Sequence, residues 1–210
     1  TDTLNVNLEH FDLSIVNPLI KQNASIRGQV TGMARVTSPS GSRAILADFV
    51  CDSAGVAGRN LGRLDISSKW NPDYKRFDIS LANDIRGKST LDVDGNYSPS
   101  LNRLEIQAVL DSMEVGYFHP FLDEIFSDFD GRISGLAAVE GPLDNLEIRT
   151  EGMRIDESLL TIAYTNVPYN ASGTFHADSD GVYFDDIIIR DRFGNDGAVT
   201  GGIAYNHFRD

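Results

Sequence analysis

Four histidines, one cysteine and 31 carboxylates are the groups through which this 210-residue chain could do chemistry. A zinc site needs His, Cys or carboxylate ligands at short, regular spacings. His10, His119, His176 and His207 are scattered, and no two share such a spacing. Cys51 stands in FVCDS without a CxxC partner, so it reads as a small strand residue and not as a nucleophile. Three acidic stretches, DVDG (Asp92–Gly95), DFDG (Asp128–Gly131) and DSDG (Asp178–Gly181), offer oxygens of the kind calcium takes. None runs on to the ligand ladder that closes with a bidentate glutamate. Asp-Gly is also hairpin chemistry, so all three are expected to be turns. No GxSxG elbow, HExxH, P-loop or post-strand GxGxxG occurs, and nothing singles out two carboxylates for glycoside hydrolysis. NAS at Asn23 and Asn170 and NYS at Asn96 match the glycosylation pattern as bare tripeptides. The residues therefore assign no catalytic group, no metal and no cofactor, and the chain reads as non-enzymatic.

Composition narrows the rest. Apolar residues make up 41%, enough for one large all-β domain or two of ordinary size. Four Lys and fourteen Arg against 31 acids leave a formal charge of −13, which disfavours nucleic acid and anionic headgroups as partners. No run reaches the ~18–20 apolar residues of a membrane span. The opening TDTLNVNLEHF has neither the basic nor the apolar region of a signal peptide. The chain is expected to be a piece of something larger.

The elements that would position any site are strands. Leu104, Ile106 and Ala108 alternate with Arg103, Glu105 and Gln107; Phe77, Ile79 and Leu81 alternate with Arg76, Asp78 and Ser80. Period two with one apolar and one wet face predicts antiparallel sheet. NPDY at Asn71, NYSPS at Asn96, EGPLDN at Glu140 and RFGND at Arg192 supply turns between the strands. The pattern is also written twice. Leu8–Val36 lies over Leu110–Val139, with GQVTG (Gly28–Gly32) over GRISG (Gly131–Gly135), and later segments match at a spacing that drifts to 107. Two repeats of ~105 residues follow, 1–107 and 108–210. Each is expected to carry one short amphipathic helix. The first lies near 14–22 around Pro18, and the second near 117–127, from the spacing of Phe118, Phe121, Leu122, Ile125, Phe126 and Phe129. Helices this short would have to dock on the sheet.

FDGRISGLAAVEGPLDNLEIRTEGMRIDESLLTIAYTNVPYNASGTF, followed by VYFDDIIIRDRFGNDGAVTGGIAYNHF, resembles the TamB family, the inner-membrane components of the translocation and assembly module and relatives of AsmA-like proteins. The carried pattern is G-x-I-S-G-x-x-x-V-x-G-x-L-D-N-x-x-I, then YTNVPY, then F-D-D-I-x-I-x-D-x-x-G-N-x-G-x-V-x-G-G-I, clearest over residues 108–208. The resemblance implies an elongated, curved sheet, a β-taco-like half barrel with an apolar groove. It implies a periplasmic segment of a protein held in the inner membrane by an N-terminal helix. Phospholipid transport and outer-membrane protein assembly are the implied functions. The implied partners are acyl chains, unfolded outer-membrane strands and an Omp85-type protein.

On alternation and resemblance together, Phe77, Ile79, Leu91, Val93, Leu104, Ile106, Leu146, Ile148, Phe184 and Ile203 are expected on inward faces of the groove. The same alternation is compatible with an ordinary closed core. The rival classes are a secreted β-sandwich or β-solenoid binding module for glycan or protein, and a β-helical polysaccharide enzyme.

Overall fold

A computed structural model describes residues 2–19, 25–38, 44–118 and 126–204. The chain is all-β. Twelve strands form one antiparallel sheet in sequence order: β1 (Asp2–Asp12), β2 (Ile26–Ser38), β3 (Ala44–Val56), β4 (Arg59–Asn71), β5 (Arg76–Asp84), β6 (Leu91–Ser98), β7 (Arg103–Glu114), β8 (Phe126–Pro142), β9 (Glu147–Ile162), β10 (Val167–Asp178), β11 (Gly181–Arg190) and β12 (Asp196–Ala204). The residues group into two compact units, Thr1–Ala108 with Val139–Leu146, and Val109–Ala138 with Glu147–Asp210.

The first unit is built on cross-strand rows. Directly opposed residues of an antiparallel pair share a face, so the register can be followed from strand to strand. Leu4–Val36, Val6–Ala34 and Leu8–Gly32 pair β1 with β2. Ala34–Ala47 and Gly32–Phe49 continue to β3, then Ala47–Ser68 and Phe49–Ile66 to β4. Ser68–Ile79, Ile66–Leu81 and Trp70–Phe77 reach β5, and Ile79–Gly95, Leu81–Val93 and Phe77–Tyr97 reach β6. Gly95 lies so close to β7 that a Cβ there would collide with the backbone of Glu105 and Ile106. Asn96 bonds Glu105 on the opposite face at 3.3 Å, which fixes the same register. Val30, Cys51, Leu64 and Asn83 are buried at one end of these rows. Asn83 is satisfied throughout: its amide donates to Leu61 O and Thr90 Oγ1, and its Oδ1 accepts from the N–H groups of Thr90 and Leu91.

In the second unit Leu110, Met113, Val115, Tyr117, Phe129, Ile133, Met153, Ile155, Leu160, Ala171 and Ile187 form the core. Gly131, at φ 137, has the Ser158 side chain where a Cβ would project, so only glycine lets β8 and β9 approach this closely.

Bulges punctuate both units. His10 (φ 51) and Ser53 (φ 55) lie in gaps of the β1–β2 and β3–β4 ladders, and Glu157 (φ 43) lies in a gap of the β9–β10 ladder. Ser112 in β7 has φ 54. At three of these four the left-handed residue's N–H is captured by a hydroxyl on the next strand: Thr31 for His10 (3.3 Å), Ser134 for Ser112 (2.9 Å) and Ser172 for Glu157 (3.1 Å). Each capturing residue precedes a glycine, so the Thr-Gly and Ser-Gly of GQVTG and GRISG are bulge caps.

Three expectations are corrected. The helices are 3₁₀ turns, Leu13–Leu19 and Val115–Phe118, and Ile15 is exposed instead of docked. Asn17 clips the first turn to β2 through both its amide atoms, to Ile26 O at 2.9 Å and from Ile26 N at 2.8 Å. Phe126 and Phe129 belong to β8 and stack at 5.2 Å, while residues 20–24 and 119–125 lie outside the described residues. Two or three turns fall below the length at which a helix sustains itself, and phenylalanine suits strands. Of the three Asp-Gly stretches only DSDG is a turn, where Asp178 Oδ1 accepts the N–H groups of Asp180 and Gly181. DVDG and DFDG lie within β6 and β8.

Candidate functional site: an uncharged sheet face

The rows of the first unit separate two faces by charge, although Met33, Leu46 and Val50 lie on the charged one. One carries Leu4, Val6, Val36, Ala34, Ile45, Ala47, Phe49, Ile66, Trp70, Phe77, Ile79, Leu81, Val93, Tyr97, Leu104 and Ile106, with Ser68 and the buried Asn83 its polar side chains among these rows and no charge. The other carries Asp48, Asp65, Lys69, Asp78, Asp92, Asp94 and Glu105. A recurring tripeptide produces this split. In Arg63-Leu64-Asp65, Arg76-Phe77-Asp78, Arg103-Leu104-Glu105 and Arg154-Ile155-Asp156 the outer residues form an ion pair at 2.9, 2.8, 2.9 and 2.7 Å. The apolar middle residue points to the other face.

Six of the ten expected residues, Phe77, Ile79, Leu91, Val93, Leu104 and Ile106, fall on this single face, half-buried. In the second unit Phe184 pairs with Phe175 and Ile203 pairs with Val182. Leu146 and Ile148 are exposed and precede Gly152 (φ 58), beyond Met153, the last β9 residue in register with β10. Trp70, Tyr97, Ile66 and Leu81 share the face with the expected residues of the first unit. Their signal was the same alternation, in Leu64-Asp65-Ile66-Ser67-Ser68-Lys69-Trp70, interrupted by Ser68.

The face is graded along the strands. At the end near Val30, Cys51, Leu64 and Asn83 it is buried; towards the turns after β4 and β6 it is open, and Trp70, Phe77 and Tyr97 stand in one row there. Trp70 and Phe77 meet edge to face at 4.9 Å.

The wet face offers oxygens without a converging centre. A shallow groove of about 370 Å³ crosses it between Asp65 and Asp92 on one side and Asp48, Ser67, Ser80 and Asp94 on the other. The Ser67 and Ser80 hydroxyls bond each other at 2.8 Å. Among the described residues no three His, Cys, Asp or Glu side chains are placed to hold a metal. The Asn71 amide and then Arg76 hold the Asp78 carboxyl below its ordinary range, and Arg103 and then Asn96 do the same for Glu105. Burial, then the Asp52 charge, pushes the Cys51 thiol up, so it stays protonated and inert. His176 contacts Asp185 at 3.0 Å and stacks on Tyr183, an exposed arrangement without a nucleophile. His119, His207 and Asn23 lie outside the described residues. No helix among the described residues is long and apolar enough to cross a membrane.

No protein-family model, curated protein or solved structure matches the chain.

Proposed function

We propose that this chain is a segment of a TamB-like envelope protein in the periplasm, where its uncharged face is a groove that shelters hydrocarbon on its way between the two membranes. The observation that carries the reading is that face: seven strands without a charged side chain along the traced rows, left half-exposed through most of its extent. Burying an acyl chain there gains about 0.8 kcal/mol per CH₂ and needs no reactive group. The acidic opposite face keeps such a sheet in solution. Two repeats of one strand–3₁₀–strand pattern, each with a hydroxyl-capped bulge, suit a curved, half-barrel-like sheet written by duplication. Outer-membrane protein assembly, with an Omp85-type partner of the full-length protein, is the companion role.

The test is native mass spectrometry of the chain purified from a Gram-negative periplasm. Co-purified phospholipid, lost in Ile79→Asp, is the expected result. A lipid-free wild type would overturn the reading. Trp70, Phe77 and Tyr97 in one row also suit a glycan-binding module; retention on polysaccharide resin, abolished by Trp70→Ala, would favour that second reading.

A further inference from the structure

At one end of the first unit three hairpin turns hold a large apolar side chain out into solvent. Tyr74 stands in the β4–β5 turn (72–75), Leu101 in the β6–β7 turn (99–102) and Leu143 in the β8–β9 turn, 69%, 70% and 50% exposed. The register levels the first two. Trp70, Phe77 and Tyr97 share one cross-strand row, and each four-residue turn begins two residues beyond Trp70 or Tyr97. The third is tied to the second, since the Leu143 N–H donates to Asn102 O at 3.3 Å and Arg103 meets Glu140 at 3.4 Å. Hairpins two strands apart set neighbouring apices roughly 10 Å from each other. Pro72, Pro99 and Pro142 stiffen the three turns. The hairpin turns at the unit's other end, 57–58 and 85–88, expose no large apolar side chain.

We propose that this end of the sheet docks on the surface of a zwitterionic bilayer, with Tyr74, Leu101 and Leu143 entering the headgroup interface. The docking does not depend on what the uncharged face carries. Charge selects the lipid. The turns hold Asp73, Lys75 and Asp144, close to neutral on a chain of net charge −13. They can therefore approach phosphocholine headgroups without repulsion, whereas an anionic surface would repel the acidic sheet behind them. The Arg76 guanidinium lies over the Tyr74 ring at 4.9 Å, a pairing of cation and phenol suited to the depth of the headgroups. A folded protein is a poorer partner. Apices this far apart, with polar residues between them, would need three separate pockets, while fluid lipid accepts each side chain independently.

The test is co-sedimentation of the chain with phosphatidylcholine vesicles. Wild type should bind, and Tyr74→Ser, Leu101→Ser and Leu143→Ser should each weaken binding about tenfold. Met33→Ser, which removes an exposed apolar side chain from the charged face, should change nothing. Ile79→Asp, which disables the uncharged face, should still bind vesicles, so docking and sheltering can fail separately. Adding phosphatidylglycerol should weaken binding, and salt should restore it. Circular dichroism of each variant checks the sheet. Wild-type binding that survives all three turn substitutions, or that is lost in Met33→Ser or Ile79→Asp alone, would overturn the proposal. Tighter binding to the anionic vesicles would show that Lys75 and Arg76 carry the contact, and would overturn it too. If folded wild type leaves the vesicles in solution unbound, the turns do not dock on lipid and the proposal falls.

Discussion

The Ser134 hydroxyl accepts the backbone N–H of Ser112 at 2.9 Å, one strand away, and so holds a serine at φ 54 in the middle of a sheet. A left-handed non-glycine residue costs about 1–2 kcal/mol, and one captured N–H offsets much of it. Ser134→Ala should therefore destabilise the chain by about 1–2 kcal/mol in urea unfolding, while Ser134→Thr, which keeps the hydroxyl, should be close to neutral. Equal losses for the two would show that the hydroxyl is not the cap.

Asn83 bonds Leu61, Thr90 and Leu91 from a buried position. Asn83→Leu keeps the volume but strands the Thr90 and Leu91 N–H groups, and should cost about 2–4 kcal/mol in urea unfolding. A loss below about 0.5 kcal/mol would mean that water replaces the amide at no cost.

Gly95 faces the β7 backbone without room for a Cβ. Gly95→Val should separate β6 from β7 and raise hydrogen exchange at the β7 amides, beginning around Ile106. Unchanged protection there would contradict the register.

Acid should weaken the fold through carboxylates stabilised in their charged form. The folded-state values of Asp78, Glu105, Asp191 and Asp196 are lowered, by Asn71, Arg103, Asn195 and Arg190 respectively as the first cause. Their contribution is complete above the unfolded range of about 4 and is lost as pH falls through the folded values. The urea midpoint should be insensitive to these groups between about pH 6 and 8 and should drop below about pH 4. Asp191→Asn should shrink that drop. A midpoint that rises on acidification would reverse the sign and refute the assignment.

The sheet was legible because its determinant is local. Arg76-Phe77-Asp78 and Arg103-Leu104-Glu105 state in three residues which side faces water, and the ion pairs form there. Asp92 and Asp94 misled because Asp-Gly is turn chemistry in isolation, yet in β6 the two acids only continue the wet face while Gly95 meets β7. The real turn after β5 is closed by Asp84, whose Oδ1 accepts the Gly87 N–H, a bond no tripeptide announces. Phe126 and Phe129 matched a helical period by coincidence, since packing in the second unit's core decides their state. The line of small residues across the strands was not legible at all. Ala34, Ala47, Ser68 and Gly95 come from four strands, and only the register reveals that their small side chains fall in one line.

The central claim is that the uncharged face meets lipid and the acidic face does not, and two adjacent positions on one strand decide it. Ile106 and Gln107 alternate on β7, so photo-crosslinkers placed there look out from opposite faces. Crosslinked in living cells and analysed by mass spectrometry, position 106 should capture phospholipid and position 107 should not. Equal capture at both, or lipid at 107 alone, would contradict the account.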